Sequence, residues 1–374
     1  MPNQPPKVRD PWFDNAKMAL VTLVVVGHSW TLLPNNVVND QAYDFLYLWH
    51  VPAFVFVTGY LSRSFTWSRQ RLVALVRTVV VPYILFETAL ALFRVYVGGE
   101  QLQDLFKDPH WPMWYLSALF FWRLMTPIFG PLWGGLVVAV AISLSAGLWV
   151  GDTLDMARIL GLLPFFVLGL KATPERLALL RGRPRLKVAA ALTLVALVAL
   201  AHWTDSWAST EWLYYRSNYA ELEDTDTRAM LVRAGLLLLG AVGAWAFLSL
   251  VPRVGGWFAT MGSASLVVYL FHGFVIRGLG YSAYPDWAAA HPVLSAPLTT
   301  LGAVALALLL AWQPVARRLG VLVDPVGFAQ SHVRHAMELT RAAESAEEHA
   351  EALADAIAEA EENGRPTPGT EHVR

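Results

Sequence analysis

The chain has 374 residues, of which 56% are hydrophobic and 15% are charged, and its mean hydropathy is +0.43. Soluble domains carry about 25% charged residues, so this composition indicates an integral membrane protein. The formal net charge is −1, and the chain has no cysteine, which excludes disulfides, thiolate metal sites, iron–sulfur clusters and a cysteine acyl-enzyme.

Ten apolar segments predict an all-α fold, a polytopic bundle of about ten transmembrane helices. No small-residue cleavage site follows the first segment, so it is predicted to be a retained helix and not a signal peptide. Residues 1–16 form a polar N-terminal segment, and residues 17–318 form the membrane domain. The ten segments are about 17–34, 43–62, 73–97, 111–128, 131–150, 156–170, 187–203, 229–249, 262–281 and 292–314.

The charges of the connecting loops alternate along the chain. Lys and Arg cluster at 62–72 and 171–187, whereas the loops at 98–110 and 203–228 are mainly acidic. Basic loops face the cytoplasm, so this pattern predicts a multi-pass plasma membrane protein with both termini in the cytoplasm. Trp and Tyr are frequent at the predicted outer ends, where they indicate an interfacial aromatic belt or, alternatively, a surface on which sugars stack.

Residues 331–374 form a separate tail that is acidic and rich in Ala and Glu. Its apolar positions are too sparse for a sustained heptad seam. The tail is therefore predicted to be a solvated cytoplasmic helix with a disordered end after Gly364, and a partner-binding helix is the alternative.

His28 lies inside the apolar run 18–30, where an ionisable side chain is costly and tends to face the interior of a bundle. The predicted helix directions place His28, His50, His272 and Glu87 in one layer, in the outer half of the membrane. This shared depth predicts a common cavity in which His28 acts as a general base toward a hydroxyl, with its imidazole oriented by Glu87 or another carboxylate. For His50 and His272, a hydrogen-bonded place in the core is an equal alternative.

Two other kinds of site are less consistent with this pattern. Three histidines suggest a metal site, but they lie in three different segments without the short spacing of zinc motifs, so no metal is expected. Ser29 and Ser62 are available for a serine triad, but no G-x-S-x-G turn is present.

Arg69, Arg71 and Arg77 lie at or just inside the predicted cytoplasmic end of the third segment. The preference for basic residues on the cytoplasmic side explains Arg63, but Arg77 lies within the apolar stretch 72–86. Its guanidinium is predicted either to bind phosphates that enter from the cytoplasm or to extend to the membrane interface.

Several stretches match a known family. The opening RDPWFDNAKMALVTLVVVGHS and the second-segment motif LWHVPAFVFVTGYL resemble the acyltransferase-3 family of integral membrane acyltransferases, and within it the sugar O-acetylases related to fucose 4-O-acetylase. The similarity covers about residues 9–315. In the family a basic residue precedes the key histidine with ten residues between them, as Lys17 precedes His28 here, although arginine is common at that position.

The resemblance implies an acyltransferase that uses cytoplasmic acetyl-CoA, or another acyl-CoA, and modifies a hydroxyl of a sugar or lipid-linked glycan on the outer side. It implies that His28 is the base or a transient acyl carrier, and that Lys17 belongs to the catalytic group. Donor contacts are expected from Arg69, Arg71 and Arg77, whose spacing departs from the paired arginines of the family. No esterase-like domain follows the spans, although many relatives carry one.

Two other classes of function remain open from the sequence. Ten spans with buried histidines and an aromatic mouth also suit a polysaccharide or glycolipid transporter or flippase, although no internal inverted repeat is evident. A membrane scaffold that binds partners through the acidic tail is the third interpretation.

For the acyltransferase, the expected partners are acyl-CoA, a glycan acceptor and the lipid bilayer, without nucleic acid. The oligomeric state cannot be read from the sequence.

Overall fold

The computed structural model describes residues 10–102, 107–151, 153–180 and 184–362, and no β-strand occurs within these ranges. The first helices are α1 (Pro11–Trp30), α2 (Val37–Ser62), α3 (Arg69–Leu75), a π-helical turn (Val76–Val80), α4 (Val81–Tyr96), α5 (Trp114–Phe129), α6 (Gly135–Trp149), α7 (Met156–Gly161) and α8 (Leu163–Lys171). The following helices are α9 (Pro174–Leu180), α10 (Pro184–Ala201), α11 (Thr210–Leu213), α12 (Asp226–Leu250), α13 (Trp257–Met261), α14 (Ser265–Gly280), α15 (Tyr284–Ala290), α16 (Pro292–Ala311), α17 (Gln313–Val323) and α18 (Pro325–Glu362). The all-α prediction is confirmed.

Several of these helices are long and apolar enough to cross a membrane, but the predicted count of ten is not confirmed. Among the residues that the structure describes, six helical segments meet that description: Val37–Ser62, Arg69–Tyr96, Pro184–Ala201, Asp226–Leu250, Trp257–Gly280 and Pro292–Ala311. A seventh is present if the bent pair Thr153–Gly161 and Leu163–Lys171, which meet at 53°, counts as one span. The other predicted segments do contain helices, but α5 and α6 have only 16 and 15 residues, and α1 carries Asp14, Asn15 and Lys17 in its first half.

Helix α1 lies inside the bundle and begins at a well-formed N-terminus. The Asp10 carboxylate caps it by accepting the backbone N–H of Trp12 at 3.0 Å, and Pro11 occupies the first helical position, which needs no N–H donor. Buried side chains then occur on every side of the helix, among them Trp12, Phe13 and Met18. A helix with buried side chains all round packs in the interior, so α1 is held by neighbours along its length.

Helix α2 is also an inner helix, whereas α10 and α16 lie at the periphery. In the apolar 18-residue stretch of α2, 72% of the residues are buried, whereas the corresponding stretches of α10 and α16 are 17% and 28% buried. The outer helices therefore present apolar side chains to their surroundings, as expected for surfaces that face lipid.

Two glycines allow α2 and α8 to pack backbone against backbone. A Cβ atom on Gly59 would lie 2.1 Å from the carbonyl oxygen of Phe166, and one on Gly169 would lie 2.1 Å from the carbonyl oxygen of Phe56. Small residues permit such an approach between membrane helices, which then gain van der Waals contact along their lengths.

The chain divides into two compact units, residues 1–323 and residues 324–374. The second unit contains α18, which starts at Pro325, six residues before the predicted start of the tail, and whose apolar side chains Val333, Met337 and Leu353 are exposed. Some predicted features lie outside the described residues: the first part of the N-terminal segment (1–9), the acidic Asp104, the middle of the basic loop (181–183) and the end of the tail (363–374).

The contact at Gly59 predicts that Gly59→Ala destabilises the membrane unit. The added methyl group would meet a backbone carbonyl, which cannot rotate away, and overpacking of this kind costs about 1–3 kcal/mol. Thermal unfolding of the purified protein in detergent measures the effect. Gly302→Ala in α16 is the matched control, because a Cβ there meets nothing within 4 Å and alanine favours a helix over glycine. Equal melting temperatures for the two variants would contradict the proposed helix contact.

Candidate active site

Two of the predicted histidines are in direct contact. His28 lies in the last turn of α1 and His272 lies in α14, and both side chains are buried. Nδ1 of His28 is 2.9 Å from Nε2 of His272. Their ring planes are nearly parallel, at 18°, with centroids 5.1 Å apart. The structure therefore joins residues that are far apart in the chain into one imidazole pair.

The partners of this pair determine which nitrogen carries each proton. Nδ1 of His272 is 2.6 Å from the carbonyl oxygen of Tyr269 and 3.1 Å from that of Val268. Carbonyl oxygens only accept hydrogen bonds, so this nitrogen carries the proton, and Nε2 of a neutral His272 accepts from Nδ1–H of His28. Nε2 of His28 is then left with a lone pair, which is the form of imidazole that takes up a proton.

His28 also lines a cavity of about 220 Å³ together with His50. Nδ1 of His50 lies 2.7 Å from the carbonyl oxygen of Leu46, so this nitrogen donates and Nε2 is the acceptor of the neutral ring. The cavity is walled mainly by aromatic side chains. Its lining consists of Val24, His28, Thr31, Tyr43, Tyr47, His50, Val51, Phe54, Trp111, Trp114, Tyr115, Arg158, Glu211, Leu213, Tyr214, Arg216 and Tyr269.

Three tyrosines form one wall of this cavity. The Tyr43 and Tyr47 rings stack with centroids 4.2 Å apart, and the hydroxyl of Tyr214 donates to that of Tyr43 at 2.9 Å. Aromatic faces and phenolic hydroxyls together suit a ligand that has both apolar and polar edges. Tyr43 and Tyr47 are among the outer aromatic residues for which the sequence predicts either an interfacial belt or a surface on which sugars stack, and both lie on the cavity wall.

Glu87 does not contact His28 in this structure but holds the loop beside it. Its Oε1 accepts the backbone N–H of His110 at 2.9 Å. The next residue, Trp111, lies against His28 with ring centroids 4.3 Å apart, and the guanidinium of Arg277 lies 5.2 Å from the Trp111 ring centroid. Glu87 is thus connected to the histidine pair through the loop that carries Trp111.

His110 itself is enclosed by positive charge. The guanidinium of Arg94 donates to Nδ1 of its ring, and Nη2 of Arg277 is 3.3 Å from Nε2. Burial, followed by the charges of Arg94 and Arg277, lowers the pKa of His110 to about 3. The imidazole of His110 is therefore neutral near pH 7 and adds no positive charge to those of Arg94 and Arg277.

The predicted basic residues lie elsewhere. Lys17 pairs with Asp14 at 2.7 Å, about 16 Å along α1 from His28, and is not part of the described cavity lining. Arg69 is exposed, and Arg77 lies in the π-helical turn. Arg71 lines a second, smaller cavity at the end of α2.

Sequence reasoning missed Arg158, which lies in the main cavity wall. Its Nε donates to the carbonyl oxygen of Tyr214 at 3.0 Å, and its guanidinium lies 4.7 Å from the Trp114 ring centroid. The signal was available, because an arginine inside a predicted span is costly and therefore a candidate for function.

Within the described residues, no group of His, Asp or Glu is arranged to hold a metal ion. The nitrogens by which His28 and His272 face one another are joined by a hydrogen bond, and the second nitrogen of His272 donates to the backbone. This arrangement leaves the lone pair at Nε2 of His28, which can accept a proton.

Comparison with known proteins identifies one family. The model of a family described as an acyltransferase domain, acyltransferase 3, matches residues 10–312, which is more than half of the chain. No curated protein and no solved structure matches the chain.

The contact of Glu87 predicts that Glu87→Ala loosens the loop at 107–113. Without the carboxylate, the backbone N–H of His110 loses its acceptor, and amide hydrogen exchange at His110 and Trp111 is expected to accelerate about tenfold or more. Exchange measured by mass spectrometry tests this. Glu87→Gln is the control, because an amide oxygen can still accept the hydrogen bond, and its exchange should remain close to that of the wild type. Unchanged exchange in Glu87→Ala would show that the loop does not depend on this contact.

Proposed function

The chain belongs to the acyltransferase-3 family of membrane acyltransferases, and from this premise we propose that it moves an acyl group, in the first instance acetyl, from an acyl-CoA to a hydroxyl of a sugar or lipid-linked glycan. The observation that carries this proposal is the imidazole pair, in which Nε2 of His28 retains its lone pair. The residue roles that follow are part of the same proposal.

In the proposed reaction, Nε2 of His28 takes the proton of the acceptor hydroxyl while the oxygen attacks the thioester carbon. The carbon–sulfur bond then breaks, and the CoA thiolate leaves and receives a proton. His272 supports this step because its Nε2 accepts from Nδ1–H of His28 and so stabilises the imidazolium that forms. The same Nε2 of His28 could instead attack the thioester itself and carry the acyl group, because both routes use one lone pair.

The cavity supports a carbohydrate acceptor. Its aromatic walls offer stacking faces, and hydroxyl groups of Tyr43 and Tyr214 lie beside them. Trp111 covers one side of His28, which limits water at the reacting atoms. His50 is proposed to orient the acceptor through its own Nε2, because this nitrogen is left as an acceptor in the same cavity.

The loop charges support an arrangement in which the donor enters from the cytoplasm and the acceptor approaches from outside. The described cavity lining includes Glu211, Tyr214 and Arg216, from the acidic loop predicted to be external. The arginines predicted to contact the donor lie toward the opposite, basic ends of the helices. Lys17 lies at that basic end, and we propose that with Asp14 it holds the start of α1 in place.

An assay of the purified full chain with labelled acetyl-CoA and a panel of sugars tests the proposal. Release of CoA together with a labelled sugar is the expected result, whereas counter-flow of an unmodified sugar in proteoliposomes would support a transporter instead. Exchange of label between CoA and acetyl-CoA without acceptor would indicate an acyl-histidine intermediate, because only a covalent enzyme form permits it.

The proposed roles predict different losses for the two histidines. His28→Ala is expected to lower kcat by about 10²–10⁴-fold, since general base catalysis typically contributes that much. His272→Ala should lower kcat less, because it removes the group that orients and stabilises His28 but leaves the base. Circular dichroism and thermal unfolding serve as folding controls. Near-normal kcat in well-folded His28→Ala would exclude His28 from the mechanism.

The proposed orientation is testable with single cysteines, because the chain has none of its own. Ser206→Cys and Glu175→Cys are suitable, since both positions are exposed in the structure. An impermeant thiol reagent applied to intact cells should label the cysteine at position 206 and spare that at position 175, whose loop is basic. The reverse labelling pattern would overturn the orientation.

A further inference from the structure

A second cavity lies at the end of α2, away from the histidine pair. It has a volume of about 120 Å³ and is lined by side chains from the end of α2, the loop after it, α3, the π-helical turn and α5. Its lining residues are Leu61, Ser62, Ser64, Phe65, Arg71, Ala74, Leu75, Thr78 and Arg123. Arg123 was not singled out by the sequence, although it lies within the apolar fourth segment.

The charges in this cavity have one sign. Arg71 and Arg123 are close enough to repel one another, and no acidic side chain is among the lining residues. Within the described ranges, neither guanidinium makes a hydrogen bond or an ion pair with another side chain. Arg71 is exposed, whereas Arg123 is half-buried within α5. A half-buried arginine normally has such a partner, because its desolvation is costly. An anion bound between the two guanidiniums would satisfy both.

The cavity also contains a hydroxyl without a partner. Ser62 is only 3% exposed, and its Oγ makes no hydrogen bond. Buried hydroxyls are otherwise hydrogen-bonded in the great majority of cases. By contrast, the neighbouring Thr78 hydroxyl donates to the carbonyl oxygen of Ala74 at 2.8 Å. Ser62 Oγ is thus a polar atom that a ligand in the cavity would satisfy.

We propose that Arg71, Arg123 and Ser62 form a binding site for a phosphate group. Two guanidiniums supply the charge and the forked donors that suit phosphate oxygens, and the serine hydroxyl supplies one further donor. The site is distinct from the histidine cavity, and it adds Arg123 and Ser62 to the residues considered for the donor.

The position of this site relates it to the histidine cavity. His50, Phe54, Thr58 and Ser62 follow one another at intervals of four residues and so lie on one face of α2. Twelve residues of helix separate His50 from Ser62, which corresponds to about 18 Å. Between the two cavities, the hydroxyls of Thr58 and Tyr115 are hydrogen-bonded. A ligand with its phosphate at Ser62 therefore needs a long arm to place a reactive carbon beside the histidines.

CoA has both features, a set of phosphates and an arm that ends in the thioester. This identification of the phosphate source rests on the proposed function, whereas the phosphate site itself does not. A phospholipid headgroup carries the same chemical group and is the other source. Binding and turnover measurements on the purified full chain can separate the two.

The binding experiment uses CoA, pantetheine without phosphates, and nanodiscs that contain either phosphatidylglycerol or phosphatidylcholine. Arg123→Gln is expected to weaken CoA binding about tenfold, the loss of one charge-assisted hydrogen bond, and to leave pantetheine binding unchanged. Ser62→Ala should weaken CoA binding less. It should not lower the melting temperature, because the hydroxyl makes no hydrogen bond in the structure. Arg253→Gln, an exposed arginine at the same predicted side of the membrane, is the matched control.

The outcomes are distinct. If Arg123→Gln weakens CoA binding, the site holds a donor phosphate. If it reduces only the retention of phosphatidylglycerol, the site holds a lipid phosphate. If neither ligand responds to Arg123→Gln in a protein that is folded by its melting temperature, the phosphate site is overturned. Turnover of S-acetylpantetheine by the wild-type chain, which needs no phosphate contact, reports on acyl transfer independently of this site.

Discussion

The requirement that a buried imidazole be hydrogen-bonded determines the arrangement on which the rest of this structure depends. His272 satisfies one nitrogen with backbone carbonyl oxygens of its own helix, so its other nitrogen must accept a hydrogen bond from His28. Nδ1 of His28 therefore carries the proton of that hydrogen bond, and Nε2 of the neutral His28 ring keeps its lone pair.

The bundle supplies the rigidity that such an arrangement needs. The backbones of α2 and α8 meet at Gly59 and Gly169, and α1 likewise meets Gly262, where a Cβ would lie 2.1 Å from the carbonyl oxygen of Asp14. Close contacts between backbones leave little freedom to slide or rotate. The inner helices therefore carry the histidines, while the peripheral helices, such as α10, have mostly exposed side chains.

Side chains at some distance from the histidines complete the site. Glu87 binds the loop that carries Trp111, and Trp111 covers His28. The observed hydrogen bond of Glu87 is with the backbone of this loop rather than with an imidazole. Along α2, one helical face runs from the aromatic cavity to the arginine cavity. In the two proposals, the first cavity binds the acceptor and the second binds a phosphate group.

The sequence by itself determined the membrane class, the location of the helical segments and the presence of His28, His50 and His272 within them, because hydropathy and helix formation depend on local composition. It also determined the family, through the motif around His28. Its count of ten spans is not confirmed, since α5 and α6 are shorter than their apolar runs suggested. Only the tertiary structure decided that His28 faces His272, that Glu87 faces His110, and that Arg123 lies beside Arg71. These contacts depend on how each helix is rotated about its axis and which neighbour it meets, and the depth of a residue along a helix carries no information about either.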